Sequence, residues 1–241
     1  MLFRIVAVAL IVIVGSIISV SSLRASEKEE SVAVALTEYL LSARAVLATN
    51  QSLINDPDKG NKGFTADVYE QQVRLEFLRR TSADITKMAD DAFGKALSEI
   101  HQSAKQVITE AQPLINQEGK GFKGFNPAAF GAKVGAALEK RSDIRIKQTS
   151  LKFRGAYNKP DEYETTILAK FVGGNKDQSH SEELTVDGKK VVRYMVPIYI
   201  SKACLGCHGD PAGTVDVSGH KKEGYRDGDL RGAISVIVPV L

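Results

Sequence analysis

DIRIKQTSLKFRG, residues 143–155, is the point at which the chain changes its periodicity. Ile144, Ile146, Thr149, Leu151 and Phe153 fall on alternate positions or close to it, the spacing of a half-buried strand. Everything before it repeats at three or four residues. Val32, Leu36, Leu40, Ala43, Leu47 and Ile54 make one stripe of a helix over 29–56. Ile85, Met88, Ala92, Ala96, Ile100, Ala104, Val107 and Ala111 make a second, widened by Phe93, Leu97 and Ile108, of a long amphipathic helix over 85–111.

Beyond residue 155 the strand pattern continues. NKPDEYETTILAKF (158–171) reads as a short helix opened by Pro160 and Asp161. EELTVDGKKVVRYMVPIYIS (182–201) reads as a hairpin turning at Asp187-Gly188, and DLRGAISVIVPV (229–240) as a final strand. The expected fold class is therefore α+β: helical hairpins first, then a mostly antiparallel sheet with one or two short helices.

The helical half contains a repeat. SARAVLATNQSLINDPDKGNKGFTADVYEQQV begins at Ser42 and SAKQVITEAQPLINQEGKGFKGFNPAAFGAKV at Ser103, an ungapped offset of 61 residues. Gln51 and Asn55 match Gln112 and Asn116, and Lys59, Lys62 and Phe64 match Lys120, Lys123 and Phe125. Thr65 and Asn126 cap the helix that follows in each copy, the second with Pro127 at its first position. Two copies are too few for a solenoid, so paired helical hairpins are expected.

At the N-terminus, Ile5 to Leu23 carry no charge. Nineteen residues at about 1.5 Å each nearly cross a hydrocarbon core of roughly 30 Å. Residues 1–24 are read as a membrane anchor, with a cleaved signal segment as the alternative; the apolar run is long for a signal peptide and its Ser-rich end is a poor cleavage site. Either way the remainder is directed out of the cytoplasm. Residues 25–125 then form the helical region and 126–241 the sheet domain. The charge, 32 basic against 29 acidic residues, is spread evenly, and no basic block is interleaved with aromatics, which argues against a nucleic-acid partner.

The chemistry is concentrated in SKACLGCHGDPAG, residues 201–213, which holds the only two cysteines of the chain. A thioredoxin-like pair belongs in a βαβ context that is missing here. A structural zinc site needs four ligands, and the spacing of His180 and His220 fits no zinc pattern. His208 directly after Cys207 decides between them. In Cys-x-x-Cys-His the cysteines become thioethers to a c-type haem and the imidazole its proximal iron ligand. Covalent haem attachment also suits an extracytoplasmic domain. Gly206 and Gly209 leave room for the backbone to approach a porphyrin. One motif implies one haem c.

IKQTSLKFRGAYNKPDEYE (146–164), RYMVPIYISKACLGCHG (193–209) and GYRDGDLRGAISVIVP (224–239) occur in an order that resembles the single-haem, c-type, PAS-like sensor domains. These lie outside the membrane in bacterial chemoreceptors and sensor kinases and also occur as stand-alone cyanobacterial haem proteins. The resemblance covers residues 103–241 and departs at Arg154-Gly155-Ala156, where the family has Arg-Asn-Pro, and at Tyr163, where it has Trp. It implies a PAS-like sheet, Cys204 and Cys207 as thioether links and His208 as proximal ligand.

Some members of that family take a helix cysteine as sixth iron ligand, which this chain lacks; others take methionine or water. Met88 is a candidate distal ligand, against core packing as the plainer role. Met195 stands close to the attachment side, His101 at the edge of its stripe, and His180 and His220 in polar loops. Arg154 and Tyr157 are candidates to hydrogen-bond the haem propionates, since a guanidinium fork matches a carboxylate.

The function expected is sensing of redox state or a diatomic gas, transmitted through the long helices of a homodimer. A membrane-tethered monohaem electron carrier is the alternative. No convincing distal acid–base set supports an enzyme such as a peroxidase. No output module follows the last strand, so a separate signalling or redox partner is expected, on the periplasmic side of the inner membrane.

Overall fold

The computed structural model describes residues 14–174 and 178–240, with side chains from residue 26 onward. It is a mixed structure of helices and one antiparallel four-stranded sheet. Helix α1 spans Val14–Thr49, breaks at Asn50 and resumes as the single turn α2, Gln51–Ile54. A loop leads to α3, Ala66–Thr81, whose N-cap Thr65 accepts a bond from Val68 N. Then come α4, Ala92–Glu110, the turn α5, Gln112–Ile115, and α6, Pro127–Leu138, capped by Asn126.

The stripe expected to be one helix from residue 85 is broken. Ser82 closes α3 in the left-handed region at φ 59°, and Ile85–Lys87 form a 3-10 turn capped by Asp84. Asp91 then starts α4 by accepting from Gly94 N at 2.9 Å. Ile85 and Met88 keep the helical spacing because they pack on the same core from an irregular segment. The 29–56 helix is likewise divided, at Asn50.

The two halves of the 61-residue repeat interlock. Gln51 Nε2 donates to Phe125 O at 3.0 Å, and its counterpart Gln112 Nε2 donates to Phe64 O at 3.0 Å. Asn55 Oδ1 accepts from Lys123 N at 3.1 Å, and Asn116 Oδ1 from Lys62 N at 2.9 Å. Each copy thus satisfies the loop backbone of the other, as buried carbonyls and amides require. Gly63 and Gly124, at φ 67° and 71°, make the same left-handed turn in both loops. Tyr69 and Phe130, also equivalent, pack edge to face at 5.7 Å between ring centroids.

The sheet runs in the order β1-β4-β3-β2. Its strands are β1, Arg145–Thr149; β2, His180–Val186; β3, Lys189–Tyr199; and β4, Leu230–Pro239. The β2–β3 hairpin turns at Asp187 and Gly188, both at positive φ (51° and 77°), the geometry that matches strand twist. Helix α7, Glu162–Val172, follows β1 and opens on a capping box between Asp161 and Glu164.

Alternation along the strands sorts residues to two faces. Tyr194, Ile234, Val236 and Val238 join the main core with α1, α3, α4 and α6. Met195 and Ala233 pack on the opposite face against Ile167, Leu168 and Phe171 of α7. Each fully buried aliphatic side chain contributes roughly 1.5–3 kcal/mol. The largest concentration, Leu36, Leu40, Leu47, Ile54, Leu97 and Ile100, lies in the helical layer.

Of the expected anchor, residues 5–13 lie outside the described residues, and Val14–Leu23 form the first turns of α1. Among the described residues the one helix long and apolar enough to cross a membrane is Ser26–Thr49, and well over half of its most apolar stretch is buried in the protein. That part of α1 is a core helix.

Candidate functional site

The motif sits at the end of the sheet, where β3 leaves it. Ile200 N donates to Asp229 O and Gly228 N to Ile200 O, both at 2.8 Å, so the exit of β3 is clamped to the entrance of β4. Between them the chain makes a 3-10 turn at Lys202–Cys204, the one-turn helix α8, Leu205–His208, and an excursion through residues 209–228. Cys204 and Cys207 are thus one helical turn apart at the mouth of the sheet. Both are free thiols and both are half-buried.

His208 ends α8 with Nδ1 2.8 Å from Glu223 Oε2. Arg154, from the segment after β1, grips the same carboxylate through Nε at 2.7 Å and Nη2 at 2.8 Å. Its Nη1 donates to Asp216 at 2.6 Å and its Nη2 to Cys207 O at 2.8 Å. Asp216, with no exposed side-chain surface, also accepts from Ser218 N and Oγ at 2.7 and 2.6 Å. One guanidinium thereby ties the β1 exit, the α8 turn and the 209–228 excursion into one unit. Bidentate geometry makes this the strong kind of charged hydrogen bond.

The electrostatics follow from that wiring. Burial raises the Glu223 carboxyl, but Arg154 and His208 outweigh it and hold the group at about 2. Asp216 is held well below the carboxylate range by Ser218 and Arg154 against its own burial. Burial lowers the His208 imidazole below its ordinary value, with Glu223 pulling partly the other way. Burial raises the Cys207 thiol, with Asp216 adding to the effect. A dithiol built for exchange has a lowered thiol instead.

Tyr225 stacks edge-on to His208 at 6.5 Å, its N–H donating to His208 O at 2.9 Å. Lys152 and Arg231 lie over the Tyr225 ring at 4.9 and 5.7 Å. Leu151, Phe153, Val215 and Val217, on the segments flanking Arg154 and Asp216, are exposed apolar side chains. Gly206 opens to free space, whereas a side chain at Gly209 would meet Leu205 O at 2.7 Å. The room is therefore at Gly206; Gly209 is required by its own turn.

These residues fit a c-type haem on the chemistry of the donor set. Two free thiols stand a turn apart, and Glu223 occupies the Nδ1 edge of His208, which leaves Nε2 as the nitrogen for iron. A zinc centre needs converging ligands. Among the described residues no group of three or more His, Cys, Asp or Glu side chains is placed to hold a metal ion.

The structure brings Cys204, Cys207, His208 and Arg154 together and leaves others apart. The nitrogens of Arg154 are committed to protein acceptors, and Tyr157 Oη donates to Ile146 O at 3.4 Å, beside β1. Met88 packs on the helical core before α4. Met195 is fully buried against α7. His101 bonds Tyr39 at 3.0 Å and Glu70 at 3.3 Å inside the helical layer. His180 faces Glu182 at 3.4 Å, and His220 Nδ1 lies 3.1 Å from Ser218. Glu223, Asp216, Tyr225 and Arg231 were invisible in the sequence pattern, since they lie in a loop and at a strand start without periodicity. The one available signal was chemical: a ligating histidine requires a partner for its second nitrogen.

A family model described as Tll0287-like matches residues 23–239. No curated protein and no solved structure matches the chain.

Proposed function

This chain belongs to the Tll0287-like family, and on that premise we propose that it is an extracytoplasmic monohaem c-type protein that senses redox state or a diatomic gas. Membership in the family points to a haem-related protein. The finer reading is carried by one observation: His208 ends the same turn that carries two free cysteines, and its Nδ1 edge is taken by Glu223, which Arg154 holds in place.

In this reading Cys204 and Cys207 hold the group covalently and His208 ligates it. When bound, a haem iron held by these residues would supply reversible one-electron chemistry and the capacity to bind a small diatomic ligand. The protein's own part is positional. Glu223 orients the imidazole and accepts its Nδ1 proton, Arg154 immobilises Glu223, and Leu151, Phe153, Val215 and Val217 provide apolar surface at the site. We assign residues 126–241 as the PAS-like haem domain and the long helices as the homodimer contact. Residues 5–23 act as the inner-membrane anchor, or as a cleaved signal that leaves a soluble periplasmic protein. A switch of this kind needs two arrangements of one element; α1, which packs on the sheet and runs toward the N-terminus, is suited to that role.

The test is expression in a host that matures c-type cytochromes, followed by mass spectrometry of the wild type, Cys204→Ser and Cys207→Ser. One covalent haem on the wild type and impaired attachment in either variant is expected; an unmodified wild type overturns the reading. Optical spectra of the two oxidation states with CO or NO then separate the functions. Ready ligand binding supports sensing. A low-spin haem that ignores both gases supports a membrane-tethered electron carrier.

A further inference from the structure

Arg193 is 5 % exposed, yet it does not pair with the charged residue opposite it. Its register partner across the β2–β3 hairpin is Glu182, on the sheet face that carries Met195. The guanidinium turns to α7 instead, where Nη2 donates to Asp161 at 2.8 Å and lies 3.5 Å from Glu164. Its central carbon sits over the Tyr163 ring at 4.2 Å. Two donors are left over: Arg193 Nε and Tyr163 Oη are both inside the protein without a hydrogen-bond partner. Burial raises the Tyr163 phenol to about 12, with Glu182 adding to the effect, so the hydroxyl keeps its proton at neutral pH. Buried donors left unmade are costly and call for a ligand, ion or water.

Arg193 and Tyr163 line one groove of about 490 Å³ between α7 and the β2–β3 hairpin, a size within the range of small-molecule sites. Asp161, Glu162 and Glu182 also line it, and Lys170 is the one further cation among its lining residues. Ile167, Leu184 and Val186 supply an apolar wall. This composition narrows the ligand. A simple anion would meet the two donors but face three carboxylates, with Arg193 already shared with Asp161. A simple cation would suit the carboxylates and leave Nε and Oη unpaired. A molecule with both charges and a short apolar branch satisfies all three surfaces. The groove shares no residue with the 201–228 segment, so its occupancy is separate from the haem reading.

We propose that this groove binds a free α-amino acid with an apolar side chain. The carboxylate accepts from Arg193 Nε and Tyr163 Oη, Glu182 holds the ammonium, and the side chain covers Leu184 and Val186. Bound in this way, the ligand ties α7 to the hairpin.

The test is isothermal titration calorimetry of the mature protein with the standard amino acids, leucine being the reference probe. Saturable binding of leucine is expected. Isocaproate, which lacks the ammonium, and isoamylamine, which lacks the carboxylate, should each bind about tenfold more weakly or worse. Tyr163→Phe removes a hydroxyl that has no protein partner, so the variant should keep or raise its melting temperature and yet bind leucine about tenfold more weakly. Glu182→Gln should show a similar loss. Arg79→Gln, at a surface pair with Glu76 on α3, should show none.

No saturable binding of any standard amino acid overturns the proposal. Isocaproate or isoamylamine binding as tightly as leucine overturns the two-charge ligand. Unchanged leucine affinity in Tyr163→Phe overturns the site. If that variant does not fold, unchanged affinity in Glu182→Gln overturns it.

Discussion

His208 Nδ1 lies 2.8 Å from one oxygen of Glu223, and Arg154 holds that same carboxylate from the other side at 2.7 and 2.8 Å. The imidazole is thus oriented by a group that is itself immobilised, the arrangement that fixes ring orientation and raises the basicity of a ligating histidine. The chain ends α8 with the histidine and supplies its partner from the far side of the 209–228 excursion.

Glu223→Gln keeps the shape of this contact and removes its charge. We expect a stability loss of about 1.5–3 kcal/mol in urea unfolding, the range for hydrogen bonds to charged groups. In the haem-loaded protein the iron–histidine stretching band should move to lower frequency. An unshifted band would falsify the role of Glu223 as the orienting group.

The repeat makes an asymmetric prediction for two equivalent lysines. Lys123 is 4 % exposed and its Nζ donates to Ile54 O at 2.7 Å, Lys120 O at 2.9 Å and Asp56 O at 3.4 Å. Lys62 is 2 % exposed and its Nζ is buried without a hydrogen-bond partner. Burial lowers the Lys123 ammonium, and the Lys62 charge lowers it further. Lys123→Met should cost about 1–3 kcal/mol, whereas Lys62→Met should leave stability unchanged or raise it, because it removes an uncompensated charge. Equal losses in both variants under chemical denaturation would refute the asymmetry.

The interior of the helical layer sets an acid limit. Burial lowers the His101 imidazole, with Glu70 opposing, and Lys105 chiefly lowers the Glu70 carboxyl. Tyr39 Oη faces His101 Nδ1, and Lys105 Nζ bonds Glu70. Both folded-state values lie below those of the unfolded chain, so the unfolded state takes up protons first and stability falls as pH falls. The His101 share begins below its ordinary 6.5 and the Glu70 share below 4.5. Thermal melts should therefore drop from pH 7 toward pH 5, and His101→Gln should flatten that first decline. A wild-type melting temperature flat across this interval would exclude the assignment.

Asp161 does two things at once. One oxygen accepts from Glu164 N at 2.7 Å to start α7, and the other pairs with Arg193 at 2.8 Å. Asp161→Ala should cost about 1–2 kcal/mol for the cap alone, while Asp161→Asn keeps the cap and loses only the pairing. Equal costs for the two variants in urea unfolding would assign the whole effect to Arg193.

The sequence by itself determined what short-range chemistry can encode. Alternation from Ile144 onward announced strands, Asp187-Gly188 announced the hairpin turn, Thr65, Asn126 and Asp161 announced helix starts, and Cys204, Cys207 and His208 marked the candidate site. These signals depend on neighbours within a few residues, where backbone geometry fixes the spacing. Only the tertiary structure decided that Ile85 and Met88 keep a helical rhythm without a helix, since packing on a shared core rewards apolar side chains whatever backbone carries them. It alone placed Glu223 on His208 and Gln51 on the loop of Gln112's copy. Such convergence links residues far apart along the chain, and hydrogen-bonding groups specify what they need but not which distant segment will supply it.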